Sequence, residues 1–407
     1  MLDRQDEMMA FDPVAATDVI MSALSAEQLA KAKAYTIGSH WLLLWNFVVG
    51  ALVAVLVLRW GVLVRLRARL ERGRPRPNLA AFLVGALFFL LSWLLSLPWS
   101  IWADWKREVD YGRSSQPLAD WLGQGALSMA LSVLLGGLFF MGLYALIRRA
   151  PKRWWIWGSG FAGVAIAVML LISPVLIEPL FNKFTPLPEG PVKVALEELK
   201  AKAGIPDARL VMFDSSRQSN NFTANVSGLG GSARIAIADV ALKSATLAEV
   251  RGVTGHEIGH YVLGHVWRAV VMLVVIAVLG FWLVNRLFAP AARLMGAQGV
   301  TGIGDPAGLP VLLTLLALYM LLMTPVMNSN TRISEAEADN YSLNLAREPD
   351  GLATALVKTA DYRYPYPNRL QEIIFYSHPS VSWRVRNAMA WKAKAMDKAV
   401  DSGAASK

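Results

Sequence analysis

Cysteine is missing from all 407 residues, histidine occurs only five times, and charged residues make up only 17% of the chain. Without cysteine there are no disulfides, thiolate ligands or cysteine nucleophiles, so any metal site must draw on His, Asp or Glu. Scarce charge combined with a mean hydropathy of +0.40 argues against a string of soluble domains. Apolar residues reach 55%, and 15 tryptophans suit a chain that meets many membrane–water interfaces. The net charge of +10 comes from 40 Lys and Arg against 30 Asp and Glu. Its arginines cluster in short loops between apolar runs, the pattern of topology signals, so no nucleic-acid partner is read from it. The first 39 residues are acidic (Asp3, Asp6, Glu7, Asp12, Asp18, Glu27) and lack the basic start and apolar core of a signal peptide. Internal repeats are also absent.

Six apolar runs are present, at 41–64, 80–103 (with a bend expected at Pro98), 121–147, 154–177, 269–285 and 309–327. The first four exceed the roughly 20 residues that cross a bilayer core. Ser25 with Gln28 reads as the cap of a surface helix ahead of the first run. Between the fourth and fifth runs the chain becomes mixed. Residues 192–200 have helical spacing ended by Gly204-Ile205-Pro206, and short alternating runs follow at 209–213, 222–226 and 233–237, the last two separated by Gly228, Gly230 and Gly231. This predicts a small hairpin-rich sheet. The layout expected is a polar segment (1–39), four spanning helices (40–178), a small α+β substrate-binding domain (179–251), a metal-binding helix continuing into the fifth span (252–288), a loop and sixth span (289–327), and a helical C-terminal domain (328–407) whose Lys-rich end, from Lys392, frays.

Loops one, three and five carry the arginine excess, led by Arg65, Arg67, Arg69, Arg72, Arg74 and Arg76. Positive-inside counting puts these loops in the cytoplasm and the polar domains on the far side.

The chemistry concentrates in Gly255-His256-Glu257-Ile258-Gly259-His260. Histidines four apart on a helix lie about 40° apart around the axis and one turn apart along it, so both imidazoles reach one ion. An intervening glutamate completes H-E-x-x-H, two zinc ligands and a general base for hydrolysis. A third ligand is needed downstream. Glu335 and Asp339, at i and i+4, share a face, while Glu337 points elsewhere; one helix can thus supply a ligand and a carboxylate that orients a ligating imidazole, although a solvated acidic face has the same pattern. His265, about 140° from His260 on a continuous helix, is not expected to join the same metal and is read as packing or polar lining, or as a substrate-side residue. His378, ahead of Pro379, has the look of a turn residue, and Arg384 and Arg386 of surface charges.

Taken in order, Phe181-Asn182-Lys183-Phe184-Thr185-Pro186-Leu187, the H-E-x-x-H with His265, Arg332-x-x-Glu335-x-x-x-Asp339, and Ser377-His378-Pro379-Ser380 with Arg384 resemble the type I CAAX prenyl endopeptidases. These are membrane zinc proteases that process farnesylated proteins. The resemblance implies a predominantly α, polytopic membrane protein, with about six spanning helices forming a chamber and a small α+β zinc-metalloprotease domain. It implies one Zn²⁺ per chain held by His256, His260 and Glu335, with Glu257 as base, Asp339 behind a ligand, and His378 and Arg384 steadying the developing oxyanion. It also implies a bacterial member in the inner membrane, with its polar domains on the side opposite to the charge count. The family's substrate-edge segment Asn-Ala-Tyr-Phe-Thr-Gly stands here as Thr223-Ala224-Asn225-Val226-Ser227-Gly228, so Thr223, Ala224 and Asn225 are candidate substrate contacts. Its first Asn and its Tyr are replaced.

The expected partners are therefore a peptide or protein, prenylated or membrane-embedded, and the lipid bilayer. One alternative is a quality-control protease of membrane proteins without prenyl specificity. Another is a transporter or scaffold carrying the motif by chance, although the spans hold almost no buried charge for an ion path. An intramembrane protease of the site-2 type is discounted, because its third ligand is an Asp in a later apolar run and none of the runs contains one.

Overall fold

The computed structural model describes residues 11–221, 223–228 and 233–404. Phe222, Gly230 and Gly231, placed above in the second and third alternating runs and the turn between them, lie outside the described residues, as do Asp3, Asp6 and Glu7.

Asp12 caps a short helix, α1 (Pro13–Met21), by accepting a hydrogen bond from Val14 N. A capping box of Ser25 and Gln28 opens α2 (Ala26–Trp60), which runs without a break into the first span instead of forming a separate surface helix. It ends at Gly61, whose φ of 63° turns the chain into α3 (Val62–Leu70). Three long helices follow: α4 (Pro77–Asp110), α5 (Leu118–Arg149) and α6 (Trp154–Phe181). Pro98 lies inside α4, and the backbone widens into a π-helical stretch at Ile101–Lys106 just after it, one way a helix absorbs a missing N–H donor.

A four-stranded sheet is then built from β1 (Phe184–Pro186), β2 (Arg209–Phe213), β3 (Ala224–Ser227) and β4 (Arg234–Ala238), with α7 (Pro191–Lys202) between the first two. The order is β1-β2-β4-β3, with β2 and β4 parallel and the outer pairs antiparallel. The expected β3–β4 hairpin is therefore present, but the sheet is mixed and β3 is an edge strand. Strand β4 is buried along its whole length, which fits the unbroken Ile-Ala-Ile-Ala of its sequence.

After α8 (Asp239–Ser244) comes α9 (Leu247–Val262), started by a second capping box in which Thr246 and Glu249 exchange hydrogen bonds. The fifth span, α10 (His265–Leu294), does not continue it. Left-handed Gly264 (φ 67°) separates the two helices, which corrects the expectation of one continuous rod. The sixth, α11 (Leu309–Ala346), outruns its apolar run by more than five turns and carries Glu335 and Asp339 beyond it. Helices α12 (Pro349–Lys358), α13 (Arg369–Phe375) and α14 (Val381–Ala404) close the chain. The Lys-rich end is helical through Ala404, residues 405–407 lying outside the described residues, and the half of α14 before it is anchored by Val385, Ala388 and Met389 in a core shared with α1 and α12.

Six helices among the described residues are long and apolar enough to cross a membrane. Their shared core (Val57, Phe88, Tyr144, Trp154, Leu312) is separate from that of the sheet and α9 (Leu196, Ile235, Ile237, Ile258). The outward faces of the spans carry exposed Leu, Val and Trp, as lipid contact requires. Where α9 crosses α11, the core of the sheet and α9 reaches the candidate site through Ile258 and Ala346.

Candidate active site

Helices α9 and α11 approach each other because α9 presents almost no side chain there. A Cβ on Gly255 would stand 2.8 Å from Ser342 Oγ, and one on Gly259 3.2 Å from Ala338 Cα. Ser342 donates to the Gly252 carbonyl at 2.5 Å, fixing the register. That contact brings His256 and His260 against Glu335. The two Nε2 atoms lie 3.1 Å apart, and Glu335 Oε2 and Oε1 lie 3.2 and 3.4 Å from His256 and His260 respectively.

One ligand atom from each of these three residues lies within 4.8 Å of the others. The donor set, two imidazoles and a carboxylate with an open side, is that of a catalytic zinc site. Two observations favour a cation at its centre. Glu335 Oε2 is buried and accepts no hydrogen bond, which an ion would relieve. Burial alone would lower the pKa of His256, yet the carboxylates of Asp339 and Glu335 outweigh it and push the imidazole up to about 10. The pocket therefore draws positive charge.

Each imidazole is oriented from behind. His256 Nδ1 lies 2.9 Å from Asp339 Oδ1, and Arg384 grips that carboxylate with Nε and Nη2 at 2.7 and 2.6 Å. Asp339 and Arg384 are 1% and 5% exposed. Burial opposes the charge on Arg384, but Asp339 more than restores it and raises the guanidinium's pKa. His260 Nδ1 lies 2.8 Å from His265 Nδ1, and His265 Nε2 lies 3.0 Å from Glu337 Oε2, which Arg268 holds at 2.8 Å. With His260 Nε2 turned to the centre, its Nδ1–H donates to His265 Nδ1, and the His265 Nε2–H donates to Glu337. The break at Gly264 makes this contact possible, since on one rod His265 would have faced away.

Glu257 lines the cleft beside the triad with its carboxylate free of hydrogen bonds and ion pairs among the described residues. Burial raises its pKa. His378 Nε2 lies 3.1 Å from Glu335 Oε1 and Ser377 Oγ lies 2.9 Å from His378 Nδ1. Burial drives the His378 imidazole down to about 4, so at neutral pH it is uncharged, with Nε2–H as donor and Nδ1 as acceptor. The same cavity, about 140 Å³, is lined by Thr223, Ala224, Arg363, His378 and Arg384. Thr223 and Ala224 thus reach the cleft, whereas Asn225 does not line it and has its Oδ1 buried without a partner.

Residues 186–392 match the model of peptidase family M48, and residues 13–183 match that of the CAAX prenyl protease N-terminal region, described as five membrane helices. The chain belongs to peptidase family M48. Among M48 relatives, the metalloprotease YhfN of Bacillus subtilis (strain 168) is 28% identical over 377 residues, covering 90% of this chain and 87% of the relative. CAAX prenyl protease 1 of Saccharomyces cerevisiae is 27% identical over 364 residues, covering 84% and 76%. The crystal structure of S. mikatae Ste24p shares the fold, with a TM-score of 0.73 at 22% identity over 93% of this chain and 96% of that one. This M48 member is therefore a metalloendopeptidase and a multi-pass membrane protein.

Of the residues singled out by sequence, the fold gathers His256, Glu257, Glu335, His378 and Arg384 along one cleft, with His260 against Glu335 and Asp339 buried behind His256. Glu337 stays out of the triad, as expected. His265 stays out of the metal group, as expected, but its contact with His260 was not foreseen, and Arg363 carried no motif at all.

Proposed function

We propose that the chain is a zinc endopeptidase of the bacterial inner membrane that cuts peptide bonds with Glu257 as general base. One observation carries this reading: the convergence of His256, His260 and Glu335 beside a free Glu257 carboxylate in one cleft. Zinc, when bound, supplies a Lewis acid that polarises a carbonyl and acidifies water.

The remaining steps belong to side chains and backbone. Asp339 and His265 hold the two imidazoles in the tautomer that leaves Nε2 free. Glu257 accepts the proton of the attacking water on its carboxylate and returns it to the nitrogen of the departing amine. His378, a neutral donor through Nε2–H, stands ready for the carbonyl oxygen as it gains charge. Arg384 has Nε and Nη2 engaged by Asp339, so its main contribution is to keep that carboxylate ionised behind His256.

Substrate adds to the free edge of β3, where backbone hydrogen bonds give affinity without strict sequence demand. Antiparallel addition sets the peptide's N-terminal side at Ser227 and Gly228 and its C-terminal side at Thr223 and Ala224. At the Ser227 end, beside His260, opens a cavity of about 340 Å³ lined by Leu170, Pro174, Val226, Tyr261 and Trp267. Its apolar lining favours an apolar group on the residue before the scissile bond, which a prenylated cysteine provides and a large apolar side chain also satisfies.

The test is Glu257→Gln. Zinc content should stay at one per chain while turnover of a fluorogenic peptide falls by about 10²–10⁴-fold. Undiminished turnover in that variant overturns the assignment of the base. Comparing farnesylated and unmodified versions of one peptide then decides whether the apolar cavity demands a lipid.

A further inference from the structure

Arg363 lines the same cleft cavity as Glu257, Glu335 and His378. It differs from the cleft's other guanidinium in one respect. Arg384 is paired to buried Asp339, whereas Arg363 makes no hydrogen bond and no ion pair among the described residues. Its guanidinium lies over the ring of Tyr362, 5.1 Å from the centroid, and the Glu335 carboxylate attracts it without reaching ion-pair distance. A second guanidinium, Arg113, lies 4.1 Å from the centroid of that ring, but it is already paired with Glu108 and Asp361, at 2.9 and 3.8 Å. Burial, and then repulsion from Arg384 and Arg113, lowers the pKa of Arg363. A half-buried guanidinium on a cleft wall, with its N–H donors uncommitted, is available to an anionic group that enters the cleft.

The direction of the edge strand says which part of a substrate arrives there. Thr223 and Ala224, at the start of β3, line the Arg363 cavity, while Val226, Ser227 and Gly228, at its end, line the apolar one. An antiparallel peptide therefore delivers the residues after its scissile bond to Arg363. The cavity, about 140 Å³, admits only the first few of them.

We propose that Arg363 is a specificity-determining residue that binds a carboxylate on the C-terminal side of the scissile bond, supplied by the substrate's own C-terminus or by an acidic side chain. This rests on reading the cleft as an endopeptidase site. A planar guanidinium can take a carboxylate with two parallel N–H···O bonds, a geometry that an amide or an alcohol does not match.

The experiment uses the full-length, zinc-loaded protein in detergent and two pairs of synthetic peptides. One pair differs only in a free against an amidated C-terminus a few residues past the cleavage point. The other is amidated throughout and carries Glu or Gln just after that point. The wild type should favour the charged member of at least one pair by about tenfold or more in kcat/KM, mostly through KM. Whichever pair shows the preference identifies the source of the carboxylate. Arg363→Gln should compress the ratio to within about threefold, and Arg363→Lys, which keeps the charge but not the fork, should fall between. Equal treatment of both pairs by the wild type overturns the proposal, as does a preference that survives in Arg363→Gln. The wild-type comparison does not depend on any variant folding. Should no peptide be cut, the endopeptidase reading fails on its own account, and the dissociation constants of the same peptides for Glu257→Gln protein still decide whether Arg363 prefers a carboxylate.

Discussion

The two metal-facing imidazoles are supported in opposite ways. Behind His256 stands a sealed pair, Asp339 and Arg384, 1% and 5% exposed. Behind His260 stands a relay of His265, Glu337 and Arg268, whose last two side chains are 43% and 39% exposed. The first is fixed by α11 and α14, while the second draws His265 and Arg268 from the first turn of a membrane span. A buried ion pair is costly to break on one side, because the partner left behind is an uncompensated charge. A half-exposed pair is screened and replaceable by water. The comparison teaches that the two arms have different work: one holds the fold together at the site, and the other only aims a ligand.

Arg384→Ala should break the comparison most severely. Asp339 would be left buried with the His256 imidazole as its one remaining partner among the described residues, at a cost of about 3–5 kcal/mol, measurable as a large drop in unfolding temperature with loss of zinc. His265→Ala should leave the unfolding temperature of the zinc-free protein nearly unchanged, yet weaken zinc affinity by about 10–100-fold, as removal of a ligand's outer partner does. Competition with a chelator of known affinity reads that difference. Equal loss of zinc-free stability in both variants would mean that the two arms are alike after all. Glu337→Gln is the smallest step. It keeps an acceptor for the His265 Nε2–H, and at 43% exposure its lost ion pair with Arg268 should change stability by less than about 1 kcal/mol. Zinc affinity should follow suit, shifting only a few-fold in the same chelator competition.

Legibility from sequence followed the range of the interaction. His256, Glu257 and His260 were readable because they lie within one and a half turns of one helix, where spacing alone fixes geometry. Glu335 and Asp339 shared a face by spacing, but nothing local separated them from a solvated acidic patch, and family resemblance was needed to single them out. The contact of His265 with His260 was not foreseen because a continuous helix was assumed; Gly264 was the available signal, since a glycine ahead of an apolar run marks a left-handed turn. The apolar runs marked the spans but not their ends. Hydropathy records only the part of a helix that meets lipid, and α2 and α11 continue well beyond it. The β3–β4 hairpin was foreseen, whereas the parallel pairing of β2 with β4 joins strands with β3 between them in the chain and leaves no local trace. Arg363 could not have been found by any motif, because what marks it is a missing partner.

The glycine contact between α9 and α11 has a further consequence. The spacing of the metal triangle is set beside the ligands, by the absence of two Cβ atoms at Gly255 and Gly259, and Ser342 and Ala338 occupy the room this leaves. A single added methyl group there would act as a wedge, parting the imidazoles from Glu335 while every coordinating side chain stayed in the sequence. For this site, an inventory of intact ligands is therefore no guarantee of an intact metal centre; the calibration of the distance between them is written in the atoms the helix leaves out.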